Sequence, residues 1–172
     1  MNNTEIVNLE NWKETETRIC NLFCWNYVEQ IHSSFLCENV SFVLVAQNTK
    51  EANDIEQFDF EYISQVADNI DIYIEKSIEE IKKELEKNPD MFGITQEQVV
   101  AYLKFTNKDF PVSMPNITFF PDRTMYLQFY EADFPNIDYG LGIGVNFEND
   151  NIILVDIPEA DESTIIEEDI PR

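Results

Sequence analysis

Apolar and polar residues follow one another with two different periods, and the longest helical pattern lies in the middle of the chain. From Phe58 to Lys87 the apolar residues recur at steps of three and four, the spacing of one buried stripe on a long amphipathic helix. Asp59 is placed to cap its first turn, and Asn88-Pro89 is placed to end it. The stripe consists of Ile63, Val66, Ala67, Ile70, Ile74, Ile78, Ile81 and Leu85.

A second, shorter helix is predicted to begin near Thr95. Gln98 stands three residues after Thr95, which is the spacing of a capping box, because each side chain can bond the other residue's backbone amide. Val99, Tyr102 and Leu103 give this helix an apolar inner face.

Strand patterns precede and follow the helical part. Residues 12–32 alternate and are rich in Thr, Ile, Trp and Tyr, which predicts an antiparallel pair, and residues 41–46 form a β-branched run that predicts a further strand. Residues 116–120 and 125–132 flank a turn pattern and predict one hairpin. Residues 142–147 and 152–157 predict another hairpin, with its turn at 148–151.

This order of elements predicts one α+β domain over residues 1–172. We expect an antiparallel sheet built from the N-terminal and C-terminal strands, packed on one long and one short helix. The end of the chain, from about residue 158, is acidic and is expected to be a partly flexible tail.

Charge restricts the partners of such a domain. The chain carries 34 acidic and 11 basic residues, a net charge of −23. A field of that sign repels nucleic-acid phosphates and anionic membranes and attracts basic proteins, although acidity also serves solubility. We therefore expect a basic protein partner, with no direct binding of nucleic acid and no membrane association.

The sequence also indicates a compartment. No run reaches the roughly 18 apolar residues of a membrane-spanning helix, and the first 30 residues lack the pattern of a secretory signal. The three cysteines are an odd number, which favours free thiols in a reducing environment. These features predict a cytoplasmic protein.

Three glycines at 140, 142 and 144 raise the question of a phosphate-binding loop. Such a loop needs a helix N-terminus after its glycines, because the amides of the helix hold the anion. Here strand-forming residues follow instead, and no Lys-Ser or Lys-Thr is present. The glycines are therefore predicted to let the chain turn and pass close to a neighbouring strand.

Cysteine and histidine side chains were the other candidates for chemistry. Cys20 and Cys24 stand among Leu22, Phe23 and Trp25, so we expect buried thiols and neither a metal site nor a cofactor. His32 is the only histidine, and a Cys–His pair formed with Cys24 or Cys37 stays open. Clustered carboxylates could also perform acid–base catalysis, but 34 acids bring some pairs close by chance.

Aromatic residues are dense between 119 and 134, and those from Tyr126 to Tyr130 alternate between the two faces of a strand. Aromatic side chains exposed beside carboxylates suit a basic protein partner. No catalytic residue is assigned. The predicted partner-binding residues are Tyr130, Asp138, Tyr139, Asp156, Glu159, Asp161 and Glu162.

The closing segment, over about residues 115–161, resembles that of an uncharacterised family of small bacterial proteins. That family shows Tyr-x-x-Phe, then Trp-Asp-x-Glu-His-Gly-Leu-Gly, a short strand pair and Ala-Asp. The matching positions here are Tyr126, Phe129, Asp138, Gly140-Leu141-Gly142 and Ala160-Asp161.

Two departures accompany this resemblance. Pro135-Asn136 stands in place of the family's Trp-Asp, and Tyr139 stands in place of its His, so any chemistry that depends on that His is lost here. The resemblance implies a cytoplasmic α+β protein without assigned enzyme activity. Some members are similar to immunity proteins encoded beside toxins.

Together these observations favour a non-enzymatic acidic binding protein, in particular an immunity protein that occludes a basic toxin domain. A phage or plasmid inhibitor that mimics DNA is an alternative of the same class. A small hydrolase that uses carboxylates is the alternative from a different class.

Overall fold

The strand–helix–strand order predicted by the two periods is present in the computed structural model, which describes residues 6–15, 22–47, 55–138 and 140–158. The acidic tail, which was predicted to begin near residue 158, lies almost entirely outside these ranges. The elements are β1 (Trp12–Thr15), β2 (Leu22–Tyr27), β3 (Ile31–Ser33), β4 (Glu38–Gln47), α1 (Phe60–Asp68), α2 (Ile70–Lys87), α3 (Gln96–Tyr102), β5 (Val112–Phe119), β6 (Thr124–Ala132), β7 (Ile143–Glu148) and β8 (Asn151–Asp156).

All eight of these strands belong to one mixed sheet. The order is β1-β2-β4-β5-β6-β7-β8, and β3 pairs with the beginning of β4. The pairing of β4 with β5 is parallel, because the helical segment between these strands carries the chain back across the sheet. The α+β class is confirmed. The expectation of an antiparallel sheet is wrong at this one pair, and all other pairs of described strands are antiparallel.

The helices cover one face of the sheet. Tyr62 of α1 packs its ring edge-on against Phe119, and Tyr73 of α2 packs in the same way against Phe147. These contacts place the main core between α1, α2 and one set of alternating strand residues. The strand residues on this face are at most 2% exposed: Phe42, Leu44, Ile117, Phe119, Met125, Leu127, Phe129, Val145 and Phe147.

The single long helix predicted from the apolar stripe is divided in two at Asn69. The Asn69 backbone amide bonds to the Val66 carbonyl, and its side-chain amide donates to the Gln65 carbonyl at 2.8 Å. The break is one residue long and Ile70 resumes the buried stripe, so the apolar period runs across it unchanged. Prediction of one continuous helix was therefore wrong at this residue.

The predicted helix ends are confirmed. The Asp59 carboxylate accepts from the Tyr62 amide at 3.0 Å, and α2 ends at Lys87 before Asn88. Thr95 and Gln98 form both bonds of the capping box. No helix in the described part of the chain combines the length and the apolarity needed to cross a membrane.

Both predicted C-terminal hairpins are also present. The β7–β8 turn is tighter than the four residues expected, since only Asn149 and Asp150 separate the strands, and both have positive φ, at 46° and 69°. This is the backbone twist that two-residue hairpins favour. Arg123, in the β5–β6 turn, also has positive φ, and its carbonyl accepts from the Asn149 amide at 3.4 Å. The two turns thus meet at one end of the sheet.

Candidate protein-binding surface

The face of the sheet opposite α1 and α2 is called here the open face. Its side chains alternate with the buried ones along the same strands, and they are half-buried or exposed. Near the middle of this face Asn116 alone is fully buried. The open face comprises Lys13, Thr15, Cys24, Asn26, Ser41, Val43, Val45, Asn116, Thr118, Thr124, Tyr126, Gln128, Tyr130, Asn146, Glu148, Leu154 and Asp156.

Two tyrosines and one carboxylate lie close together on the open face. In the register, Asp156 stands opposite Gly144, which stands opposite Gln128, so the carboxylate lies beside the row of Tyr126 and Tyr130. Burial raises the pKa of Tyr126 well above its usual value, and the nearby charge of Asp156 adds to the rise. The Tyr126 hydroxyl oxygen is buried and has no hydrogen-bond partner in the described structure.

Glycines make this arrangement of Tyr126 sterically feasible. A Cβ at Gly144 would overlap the far end of the Tyr126 ring, so the ring lies directly over the backbone of β7. Gly142 has a φ of 62°, and a Cβ there would overlap the Phe129 carbonyl oxygen. Strand β7 follows directly, which confirms the predicted turn and close approach in place of a loop that leads into a helix.

Strand β8 adds apolar surface to the edge of the open face. Ile153 and Leu154 are 60% and 54% exposed. The pairing with β7 shifts register at this point, since Asn146 pairs with Leu154 and Phe147 pairs with Ile152. Ile153 is therefore the extra residue of a β-bulge, a feature that bends an edge strand and re-aims its side chains.

The open face differs from the rest of the protein in charge. Only three of its residues are charged, although the whole chain carries −23. They are Lys13 on the edge strand β1, Glu148 at the end of β7 and Asp156 on the edge strand β8, so all three lie at the margins of the face. Few charges at the centre together with half-buried tyrosines are the composition of a protein-binding surface. The open face is therefore the best candidate site in the described part of the molecule.

The structure brings together only some of the residues predicted to bind a partner. Tyr130 and Asp156 share the open face. Asp138 is exposed in the loop between β6 and β7, where its carbonyl accepts from the amides of Leu141 and Gly142. Tyr139, Glu159, Asp161 and Glu162 lie outside the described residues.

The predicted partner-binding residues did not include Tyr126, Gln128 and Leu154, which belong to this surface. The available signal was the alternation along β6, because Tyr126, Gln128 and Tyr130 must share a face. Gln128 donates to the Leu141 carbonyl at 2.5 Å, which ties the glycine-rich turn to the open face. Leu154 could not have been found in this way, because the bulge changes the parity of β8.

The described cysteines and the histidine do not form a nucleophile–base pair. His32 Nδ1 lies 3.2 Å from Asn39 Oδ1, and the Cys37 thiol donates to the Ser34 carbonyl at 3.6 Å. Burial raises the pKa of the Cys24 thiol, which is the opposite of nucleophile activation. Cys24 is half-buried, whereas a buried thiol was expected there, and Cys37 is exposed. Cys20 lies outside the described residues.

One carboxylate near His32 has a structural role. Asp71 accepts from Ser33 Oγ at 2.7 Å, from Ser34 Oγ and from the Phe35 amide at 3.3 Å. Burial by itself would raise the pKa of Asp71, but these hydrogen bonds lower it overall. The carboxylate therefore fastens the β3–β4 turn to the first turn of α2. Within the described ranges no three His, Cys, Asp or Glu side chains form a group able to hold a metal ion.

No protein-family model, curated protein or solved structure matches this chain. The resemblance of residues 115–161 to a family of small bacterial proteins therefore stays a prediction.

Proposed function

We propose that this protein is a non-enzymatic binding protein whose open face meets a basic protein partner. The observation that carries the proposal is the grouping of the half-buried Tyr126 and Tyr130 with the exposed Leu154 and with Asp156, on a face whose other charges lie at its margins. Tyrosines supply large contact area at low entropic cost, and a carboxylate at their edge selects a partner that presents Lys or Arg.

The mechanism is stoichiometric occlusion. The net charge of −23 draws a basic partner from a distance and speeds encounter, while the tyrosines and the apolar side chains of β8 supply the short-range contact. The acidic cluster at Glu159, Asp161 and Glu162 follows β8 directly in the sequence, so in this proposal it extends the charged rim. No chemical step is required for the partner to be blocked.

In its finer form the proposal is that of a cytoplasmic immunity protein that covers a basic toxin domain. The family resemblance and the charge support this form. Mimicry of DNA is less well supported, because a phosphate mimic needs regularly spaced charges and the open face offers only two acids, Glu148 and Asp156. A hydrolase that depends on a metal ion draws no support from the described residues, since no three His, Cys, Asp or Glu side chains there form a group able to hold one.

The test begins with capture of the partner from the native host and its identification. Binding is then measured for Tyr130→Ala, Tyr126→Ala and Asp156→Asn, with Glu86→Gln on the exposed surface of α2 as a matched charge control. Each tyrosine variant should weaken binding by about tenfold or more, and Asp156→Asn should slow association, while Glu86→Gln changes little. Unchanged affinity in all three open-face variants, with melting temperatures preserved, would exclude this surface.

A second measurement separates steering from contact. Changing Glu159, Asp161 and Glu162 together to Gln, Asn and Gln should slow association by about tenfold at low salt and flatten its salt dependence. The dissociation rate should hardly change. An association rate equal to that of the wild type at low salt would show that these three acids form only a solvated surface.

A further inference from the structure

The outer edge of β8 is unpaired in the described part of the chain. β8 is the last strand in the order of the sheet and pairs with β7 on one side, and no described strand lies on its other side. Alternate backbone amides and carbonyls of an edge strand face away from the sheet, which makes the edge a template for one more strand. β8 can therefore accept a strand from outside the described residues.

The two edges of the sheet differ in their protection against such pairing. β1, at the opposite edge, has only four residues and carries Lys13, and a short strand with a lysine discourages the addition of another strand. β8 has six residues and contains no Lys, Arg or Pro. Its bulge is a feature that often blunts an edge, but here it leaves Ile153 and Leu154 more than half exposed. β8 is thus the less protected edge.

The exposed side chains of β8 fit a strand with apolar residues. Ile153 and Leu154 follow one another and are 60% and 54% exposed. A strand laid along β8 places its side chains beside those of β8, so apolar residues in the added strand would cover both. Leu154 and Asp156 belong to the open face, so the added strand would extend that face beyond Tyr126 and Tyr130 without a gap.

Charge restricts which segment can be added. From residue 124 to residue 171 the sequence contains acids but no Lys, Arg or His. Glu148 and Asp150 stand at the beginning of β8, and Asp156 stands at its end. A second copy of this chain would bring acids toward acids, whereas Lys or Arg at the ends of an added strand would meet carboxylates. Charge complementarity therefore selects a basic segment for this edge.

We propose that an extended segment of the protein partner, apolar at alternate positions and carrying Lys or Arg at its ends, adds to the outer edge of β8 as a further strand. Assignment of this segment to the partner rests on the proposed function, whereas the preference of the edge for such a segment does not. Backbone hydrogen bonds supply affinity in this mode of recognition, and Ile153, Leu154 and the flanking acids supply selectivity.

The first experiment titrates the full chain with the peptide acetyl-Lys-Val-Thr-Val-Thr-Val-Lys-amide and follows ¹H–¹⁵N chemical shifts. Saturable shifts are expected at the amides from Asn151 to Asp156, with slower hydrogen exchange at those that face away from β7. The same peptide N-methylated at its five central residues keeps its side chains and charges but cannot donate from the backbone there, so it should cause no saturable shift. Equal binding of the two peptides, or no saturable shift with the first, would overturn the proposal.

A charge-reversed peptide tests the acids beside β8. With Glu in place of both lysines, the peptide should bind at least about tenfold more weakly at low salt. Changing Glu148 and Asp156 together to Gln and Asn should remove most of this difference. Equal affinity of the Lys and Glu peptides for the wild-type chain would show that the edge does not select a basic segment.

Ile153→Lys and Val100→Lys are a matched pair of variants. Both place a lysine at an apolar residue that is more than half exposed, but Val100 lies on α3 and outside the sheet. Ile153→Lys should weaken binding of the Lys peptide by about tenfold or more, because a lysine protects an edge strand, and Val100→Lys should bind as the wild type does. An equal loss in the two variants, with melting temperatures preserved, would contradict the assignment to β8.

The captured partner separates this inference from the proposed function. Partner binding should slow hydrogen exchange at the outward amides of β8, and Ile153→Lys should weaken it by about tenfold or more. If Tyr130→Ala weakens partner binding while Ile153→Lys and the exchange rates show no effect, the open face stands and the strand addition is wrong. If Ile153→Lys alone weakens it, the edge stands and the open face is not the contact surface.

Hydrogen exchange in the free protein tests the other occupants of the edge. The outward amides of β8 should exchange rapidly without a partner. Protection that rises with protein concentration would identify a second copy of this chain as the occupant, and protection independent of concentration would identify another segment of the same chain. Either result would overturn the assignment of this edge to the partner.

Discussion

Strand β6 contributes alternately to two faces with different roles. Met125, Leu127 and Phe129 point toward the helices and are at most 1% exposed, whereas Tyr126 and Tyr130 point to the open face and stay half-buried. The strand is the same, its backbone bonds are the same, and only the parity of the residue differs. The difference shows that packing stability is concentrated on the helix side, which leaves the other side available for recognition.

The difference in packing between the two faces has one exception, which lies on the open face. Glycines at 142 and 144 bring the backbone of β7 and its preceding turn against β6, so that part of the open face is as sterically restricted as the core. Substitutions on the two faces should therefore differ in cost, except at the glycines.

The largest effect is expected for Phe129→Ala on the helix side. Removal of a fully buried ring leaves a cavity, and the free energy of unfolding should fall by about 3–5 kcal/mol. Tyr130→Ala, the next residue on the opposite face, should cost markedly less, since its side chain is half-buried. Urea denaturation of both variants gives the two values, and equal losses would contradict the division between the faces.

The exception is tested by Gly142→Ala. Alanine would adopt an unfavourable φ of 62° and its Cβ would overlap the Phe129 carbonyl, so we expect a loss of about 2–4 kcal/mol. Gly140→Ala is the matched control, because Gly140 also has positive φ but no atom lies within 4 Å of the added Cβ. Its loss should be about 1 kcal/mol. Similar melting temperatures for the two variants would show that backbone conformation alone matters here.

The third prediction concerns Asp59, the acid that caps α1 on the helix side. The Tyr62 amide, Arg123 and the Glu61 amide hold the pKa of Asp59 below its usual value. Folding thus favours the ionised form of Asp59. The stabilisation of the folded state by this carboxylate is therefore present above a pH of about 4 and is lost as the pH falls below that. Asp59→Ala should cost about 1 kcal/mol at pH 7 through loss of the cap. The Asp59→Ala variant should also lose less unfolding free energy than the wild type as the pH is lowered below about 4. An equal loss in both proteins would show that Asp59 does not contribute to stability in its ionised form.

The smallest effect is expected for Tyr126→Phe on the open face. The hydroxyl is buried without a partner, so its removal should leave the free energy of unfolding at pH 7 unchanged or raise it by up to about 1 kcal/mol. Burial raises the pKa of Tyr126 in the folded state, so folding favours the protonated phenol. Wild-type stability should therefore fall as the pH rises above about 10, where the unfolded chain ionises this group more readily. The variant should therefore lose less stability than the wild type in alkaline urea titrations. A clear loss at pH 7 would reveal a bond from this hydroxyl.

Features that depend on neighbours in the sequence were predictable. The capping box at Thr95, the N-cap at Asp59 and both C-terminal hairpins each depend on residues within a few positions of one another. The break at Asn69 was missed because Ile70 restores the apolar period immediately after it. Of the predicted partner-binding residues, Tyr130 and Asp156 do share a face, but nothing local to either residue indicates that the other lies near.

By itself, the sequence determined the α+β class, the ends of the helices, the alternation along each strand and the strong negative charge. Those properties follow from local backbone preferences and from periodicity, which a chain carries in its order of residues. Only the tertiary structure decided the parallel pairing of β4 with β5, the seating of Tyr126 over Gly144 and the meeting of Tyr73 with Asp150, 77 residues apart. Such contacts are decided by which strands become neighbours, and that choice depends on packing the whole apolar surface at once.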